Sequence, residues 1–89
     1  MRQKLLLIDD DKQFIDNLVF FLEKDFQCIF ANTADEGISI AKSENPDVIL
    51  LDLILKDKIN GLGVLKKIKK IDETIPIIMI TDYGSIDTA

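Results

Sequence analysis

The chain has 89 residues, 47% of them hydrophobic, and a formal net charge of -5 from 16 acidic and 11 basic side chains. That is the balance of one small globular domain, and the acidic surplus argues against a binder of nucleic-acid phosphates. A single cysteine excludes an internal disulfide, and with no histidine a zinc cluster is not expected. Nothing resembles a leader peptide, and no apolar run approaches the roughly 20 residues that span a bilayer, so a cytoplasmic location is expected.

Leu5–Ile8 is a short apolar run, as in a strand buried on both faces. Residues 11–24 change to helical spacing, with Phe14, Leu18 and Leu22 in one row and Ile15, Val19 and Phe21 beside it. Cys28–Ala31 reads as a second strand. Thr33 and Glu36 form a capping box that starts a second helix, with Ile38 and Ala41 on its buried stripe. Asn45-Pro46 ends that helix. "DVILLDL" is a third strand ending at Asp52, and "LILKDKING" is a loop. Gly61–Lys70 is a third helix, with Leu62, Leu65 and Ile68 expected inward and Lys66, Lys67, Lys69 and Lys70 outward as a solvated face. Pro76 opens "PIIMIT", a fourth strand, and a fourth helix could begin at Gly84. Alternating strands and helices with short connections predict an α/β fold, a parallel sheet with helices on both faces and right-handed crossovers.

In such sheets ligands bind at the carboxyl ends of the strands. There the first strand delivers Asp9 and Asp10, the third Asp52 and the fourth Thr81. Two carboxylates ~4 Å apart repel by about 4 kcal/mol at an effective dielectric near 20, so protons, solvent or a cation must offset the charge. Oxygen ligands with room for water suit Mg²⁺. Such an ion could neutralise a phosphoryl group while one carboxylate acts as nucleophile and Thr81 hydrogen-bonds a phosphoryl oxygen. Each residue also has a plain structural role open to it: Asp10 or Asp11 as a helix cap, Thr81 as a turn residue.

With these residues placed, the sequence resembles a response-regulator receiver domain of two-component signalling. "LLLIDDD" resembles its acidic pair, "DVILLDL" its phosphoacceptor strand, "INGLGVLKKIK" the segment after the loop with Gly61 in the usual glycine position, and "IPIIMITDYGSIDTA" its switch strand. The resemblance covers residues 1–89 as one domain. It implies a doubly wound, flavodoxin-like sheet of order 2-1-3-4, about four βα units, lacking the family's final helix-strand-helix segment. It further implies that Asp52 is the phosphoacceptor and Thr81 the phosphoryl contact and switch. Asp10, Asp52 and the Ile54 carbonyl would hold Mg²⁺ directly, and Asp9 through water. The implied partner is a histidine kinase or phosphotransfer protein, and the implied role is phosphoacceptor rather than enzyme, with slow self-dephosphorylation at most. Departures from the pattern are the unmatched lysine and aromatic residue of a fifth strand, Lys56 in place of a loop proline, and Asp82 where a small residue is usual.

Two other readings compete. A receiver lacking its last elements could bind metal or protein without normal phosphotransfer. Alternatively, Asp9-x-Asp11 after a strand resembles the nucleophile motif of haloacid-dehalogenase-like phosphatases, although Gln13 departs from that motif and Asp52 is left without a role. Neither membrane contact nor direct nucleic-acid binding is expected of this segment. Because "PIIMIT" is apolar and uncharged, self-association through the edge of the fourth strand is expected.

Overall fold

The computed structural model describes residues 2–53, 55 and 60–80. Seven elements alternate: β1 (Gln3–Ile8), α1 (Lys12–Leu22), β2 (Phe26–Ala31), α2 (Ala34–Glu44), β3 (Val48–Asp52), α3 (Gly61–Ile71) and β4 (Ile77–Ile80). The four strands form one parallel sheet of order β2-β1-β3-β4. This is the α/β order expected from the sequence. β2 begins two residues before Cys28, and α1 ends two residues before Lys24.

Strand order decides where the helices go. From β1 the chain steps one way to β2, then back across β1 to β3 and onward to β4. Right-handed crossovers therefore put α1 on one face and α2 and α3 on the other. The burial pattern agrees. Leu6 and Ile8 of β1 join Ala31, Ile49 and Leu51 in the main core, against Ala34 and Ala41 of α2 and Val64 and Ile68 of α3. Alternate side chains of a strand point to opposite faces, and Leu5 and Leu7 are buried outside that cluster, as is Ile15 of α1.

Local chemistry fixes the ends of the elements. Asp11 caps α1 by accepting from the Phe14 N–H at 3.1 Å, and Asn60 caps α3 by accepting from Gly63 at 3.0 Å. Thr33 accepts from the Glu36 N–H at 3.1 Å, while the Glu36 carboxylate accepts from the Asn32 N–H at 2.9 Å. Asn45 closes α2 in the left-handed region at φ 54°, which an asparagine tolerates better than most side chains. At the start of the sheet, Asp47 holds Lys4 from both sides: its carboxylate accepts from the Lys4 N–H at 2.7 Å and its own N–H donates to the Lys4 carbonyl at 2.9 Å.

Three expected orientations are corrected. Phe21 is 70% exposed, because α1 turns Ile15 to the sheet and leaves only half-buried residues beside it. Leu62 is 51% exposed; Gly61, Val64 and Ile68 form the inward stripe of α3 instead. Lys69 does not simply face water: its ammonium donates to the Glu73 and Ile75 carbonyls at 3.1 and 2.7 Å, satisfying acceptors in the turn before β4. Thr81, Asp82, Ile54, Lys56 and the segment from Gly84 lie outside the described residues.

Candidate phosphoacceptor and metal site

The point at which strand order reverses lies between β1 and β3, and a ligand crevice is expected beyond their carboxyl ends. Asp9, Asp10 and Asp52 meet there, each offering one carboxylate oxygen within 4.8 Å of the others. Residues 9 and 52 are far apart in sequence. They converge because β1 and β3 are hydrogen-bonded neighbours with Ile8 opposite Leu51.

Backbone bonds carry the order of the sheet slightly past the strands. The Asp9 N–H donates to the Ala31 carbonyl at 3.1 Å, and the Leu53 N–H donates to the Ile80 carbonyl at 2.8 Å. The residues bearing the site are therefore anchored on the outer sides, by β2 and β4 respectively. From the α3 side, the Gly61 N–H donates to the Leu53 carbonyl at 3.1 Å, tying the first residue of α3 to the residue after Asp52.

The three carboxylates differ. Asp9 is buried at 6% exposure, whereas Asp10 and Asp52 are half-buried. Burial pushes the Asp9 carboxyl up from its ordinary 3.8 to about 6, and the charges of Asp52, Asp10 and Asp11 push the same way. The Asp11 N–H, donated to Asp9 Oδ1 at 2.9 Å, opposes them. Asp11 itself faces the helix, its carboxylate engaged with Phe14.

This donor set fits a small hard cation. It is all oxygen, and two ligands on opposite sides of Mg²⁺, with bonds of about 2.1 Å, lie about 4.2 Å apart, inside the 4.8 Å that spans the three carboxylates. A cation would also relieve the repulsion that raises Asp9. Elsewhere, an open groove between α1 and β2 is lined by Arg2, Val19, Glu23, Phe26 and Cys28, toward the amino ends of the strands and away from the acids. Burial, and then the charge of Glu23, push the Cys28 thiol up, so it is a poor nucleophile at neutral pH.

No helix among the described residues is long and apolar enough to cross a membrane. The sequence leaves the helix cap open between Asp10 and Asp11, and the structure gives it to Asp11. Asp9 is instead held beside β2 by its bond to the Ala31 carbonyl, a neighbour that the triple "DDD" does not reveal.

Comparison with known proteins agrees with this geometry. The family model described as "Response regulator receiver domain" matches residues 5–89. Sporulation initiation phosphotransferase F of Bacillus subtilis (strain 168) is 35% identical, over 98% of this chain and 70% of its own length. The photosynthetic apparatus regulatory protein RegA of Rhodobacter capsulatus is 36% identical, and there the match spans only 47% of the relative. The crystal structure of a CheY-like response regulator receiver domain protein from Methanospirillum hungatei JF-1 superposes with a TM-score of 0.88 at 28% identity, covering 98% of this chain and 70% of that one. A receiver domain protein from Clostridium thermocellum gives 0.85 at 32% identity, covering 98% and 71%. The sheet order, the acidic cluster at its switch point and these matches lead to one conclusion: the chain belongs to the response regulator receiver domain family.

Proposed function

We propose that this chain accepts a phosphoryl group on Asp52 in a two-component phosphorelay, with Mg²⁺ as its cofactor. The observation that carries the reading is the convergence of three carboxylates from two strands within 4.8 Å at the sheet's switch point. Asp10 and Asp52 would hold the ion directly and Asp9 through water, with the Ile54 carbonyl as a further ligand. Bound Mg²⁺ supplies positive charge where the phosphoryl oxygens gather charge in the transition state.

Asp52 is the nucleophile of choice for a physical reason. Asp9 is buried and accepts the Asp11 N–H, so it is poorly placed to meet an incoming phosphorus. Asp52 is half-buried and comes to the Asp9–Asp10 pair from the neighbouring strand, on a backbone anchored to β4. Its carboxylate oxygen forms the new O–P bond as the P–N bond of a phosphohistidine breaks, and the departing imidazole nitrogen takes up a proton from solvent. The transition state is loose, so the protein's part is mainly position and charge. The added phosphoryl charge and its acceptor oxygens would draw Thr81 inward and bias the output surface.

The donor is a histidine kinase or a phosphotransfer protein, in the cytoplasm. Self-association belongs to the same proposal. Among the described residues β4 pairs only with β3, and Ile77–Ile80 carries no charge to discourage a second copy at its other edge. The test of the main reading is incubation with acetyl phosphate and Mg²⁺ followed by intact mass measurement. One phosphoryl adduct, absent without Mg²⁺ and absent in Asp52→Ala, supports it. A wild-type chain that stays unmodified favours the alternative of a receiver that binds metal or protein without phosphotransfer.

A further inference from the structure

We propose that Gly61 is a positioning residue for the acidic site: its missing side chain lets the first residue of α3 rest directly on the backbone that carries Asp52. This rests on the Mg²⁺ site proposed above and deepens it. A Cβ built on Gly61 would lie 2.3 Å from the Asp52 carbonyl oxygen, 2.7 Å from the Leu53 carbonyl oxygen and 2.8 Å from the Leu53 carbonyl carbon. All three are backbone atoms, which no side-chain rotation can move aside. Close approach of two backbones is a use to which only glycine is suited.

Neither side of this contact can yield without consequence. Asp52 and Leu53 are held on the far side by β4, through the Asp52–Ile80 pairing and the Leu53–Ile80 hydrogen bond of 2.8 Å. α3 is held by the Asn60 cap and by Val64 and Ile68, both fully buried. An added methyl therefore forces the end of β3 and the start of α3 apart. It also strains the Gly61–Leu53 bond between α3 and the residue after Asp52. The carboxylates of Asp9, Asp10 and Asp52 offer oxygens within 4.8 Å of one another, so a displacement of an ångström at the Asp52 backbone is large on the scale of the site.

Gly37 shows the contrast. Its added Cβ would also clash, at 2.7 Å, but against the Cδ1 of Ile8, the end of a side chain that can rotate. Gly37 is a packing glycine, and of the described glycines only Gly61 would press a Cβ against the backbone of a site acid.

The experiment is a calorimetric Mg²⁺ titration of the wild-type chain, Gly61→Ala and Val64→Ala, each first checked for native circular dichroism. Val64→Ala loosens the buried face of the same helix and leaves Gly61 unaltered. The proposal expects Gly61→Ala to bind Mg²⁺ at least tenfold more weakly and Val64→Ala to stay within threefold of wild type. Equal weakening in both variants, or none in Gly61→Ala, overturns it. If Gly61→Ala does not fold, amide hydrogen exchange of the wild-type chain decides. Coupling between sites is reciprocal, so saturating Mg²⁺ should slow exchange at the Gly61 amide at least threefold more than at the Gly37 amide, which occupies the first turn of α2. Equal slowing overturns the proposal. A wild-type chain that binds no Mg²⁺ removes the underlying reading as well, whereas normal binding with an unaffected Gly61→Ala removes this inference alone.

Discussion

Asp9→Asn should stabilise the metal-free protein at neutral pH, although it removes a residue of the proposed metal site. The folded chain holds the Asp9 carboxyl at about 6 against an ordinary 3.8. Between those values the folded state binds more protons than the unfolded state, so stability falls as pH rises through this window. At about 1.4 kcal/mol per pH unit, ionised Asp9 costs the folded state about 3 kcal/mol above pH 6. Asparagine resembles the neutral acid and keeps an oxygen to accept the Asp11 N–H now bonded at 2.9 Å. Urea denaturation in EDTA should therefore find Asp9→Asn more stable than wild type at pH 7.5, by about 3 kcal/mol at most. The gap should close as pH falls below about 4, where both chains carry a neutral group. Mg²⁺ should shrink the gap at pH 7.5, because an ion that binds only the folded wild-type site adds stability by mass action. A variant no more stable than wild type at pH 7.5, or a gap that does not vary with pH, would show that ionised Asp9 does not destabilise the fold.

Further outcomes follow from the packing. Ile68→Ala empties the fully buried inner face of α3 and should cost about 2–5 kcal/mol in chemical denaturation. Leu62→Ala, on the exposed side of the same helix, should cost far less, and equal losses would contradict the observed face. Asn60→Ala removes the cap that accepts the Gly63 N–H and should lower stability by about 1 kcal/mol. If copies pair through β4, Ile78→Lys, at a position 52% exposed, should shift sedimentation toward monomer. A wild-type chain that is monomeric over a wide concentration range would defeat that expectation.

The order of the elements was readable in the sequence because short apolar runs and helical spacing alternate without ambiguity. So was the meeting of Asp9, Asp10 and Asp52, since a parallel sheet puts every strand's carboxyl end at one edge. The inward stripe of α3 was not. Leu62-Leu65-Ile68 and Gly61-Val64-Ile68 both fit helical spacing, and a leucine looks a better core residue than a glycine. The choice is made by Gly61 resting on the Asp52 and Leu53 carbonyls, a contact between segments that no local pattern records. Phe21 failed similarly: on α1 the stripe centres on Ile15, and a phenylalanine one position past the stripe meets solvent. Asp9 and Asp11 look alike in the sequence, yet one is buried beside β2 and the other caps a helix.

Phosphorylation of Asp52 can be read directly. After treatment with acetyl phosphate and Mg²⁺, borohydride reduction converts an aspartyl phosphate to homoserine, which peptide mass spectrometry can place. Homoserine is expected at position 52 and at neither position 9 nor position 10. Homoserine at position 9, or none anywhere in a folded, Mg²⁺-saturated chain, would contradict Asp52 as the phosphoacceptor.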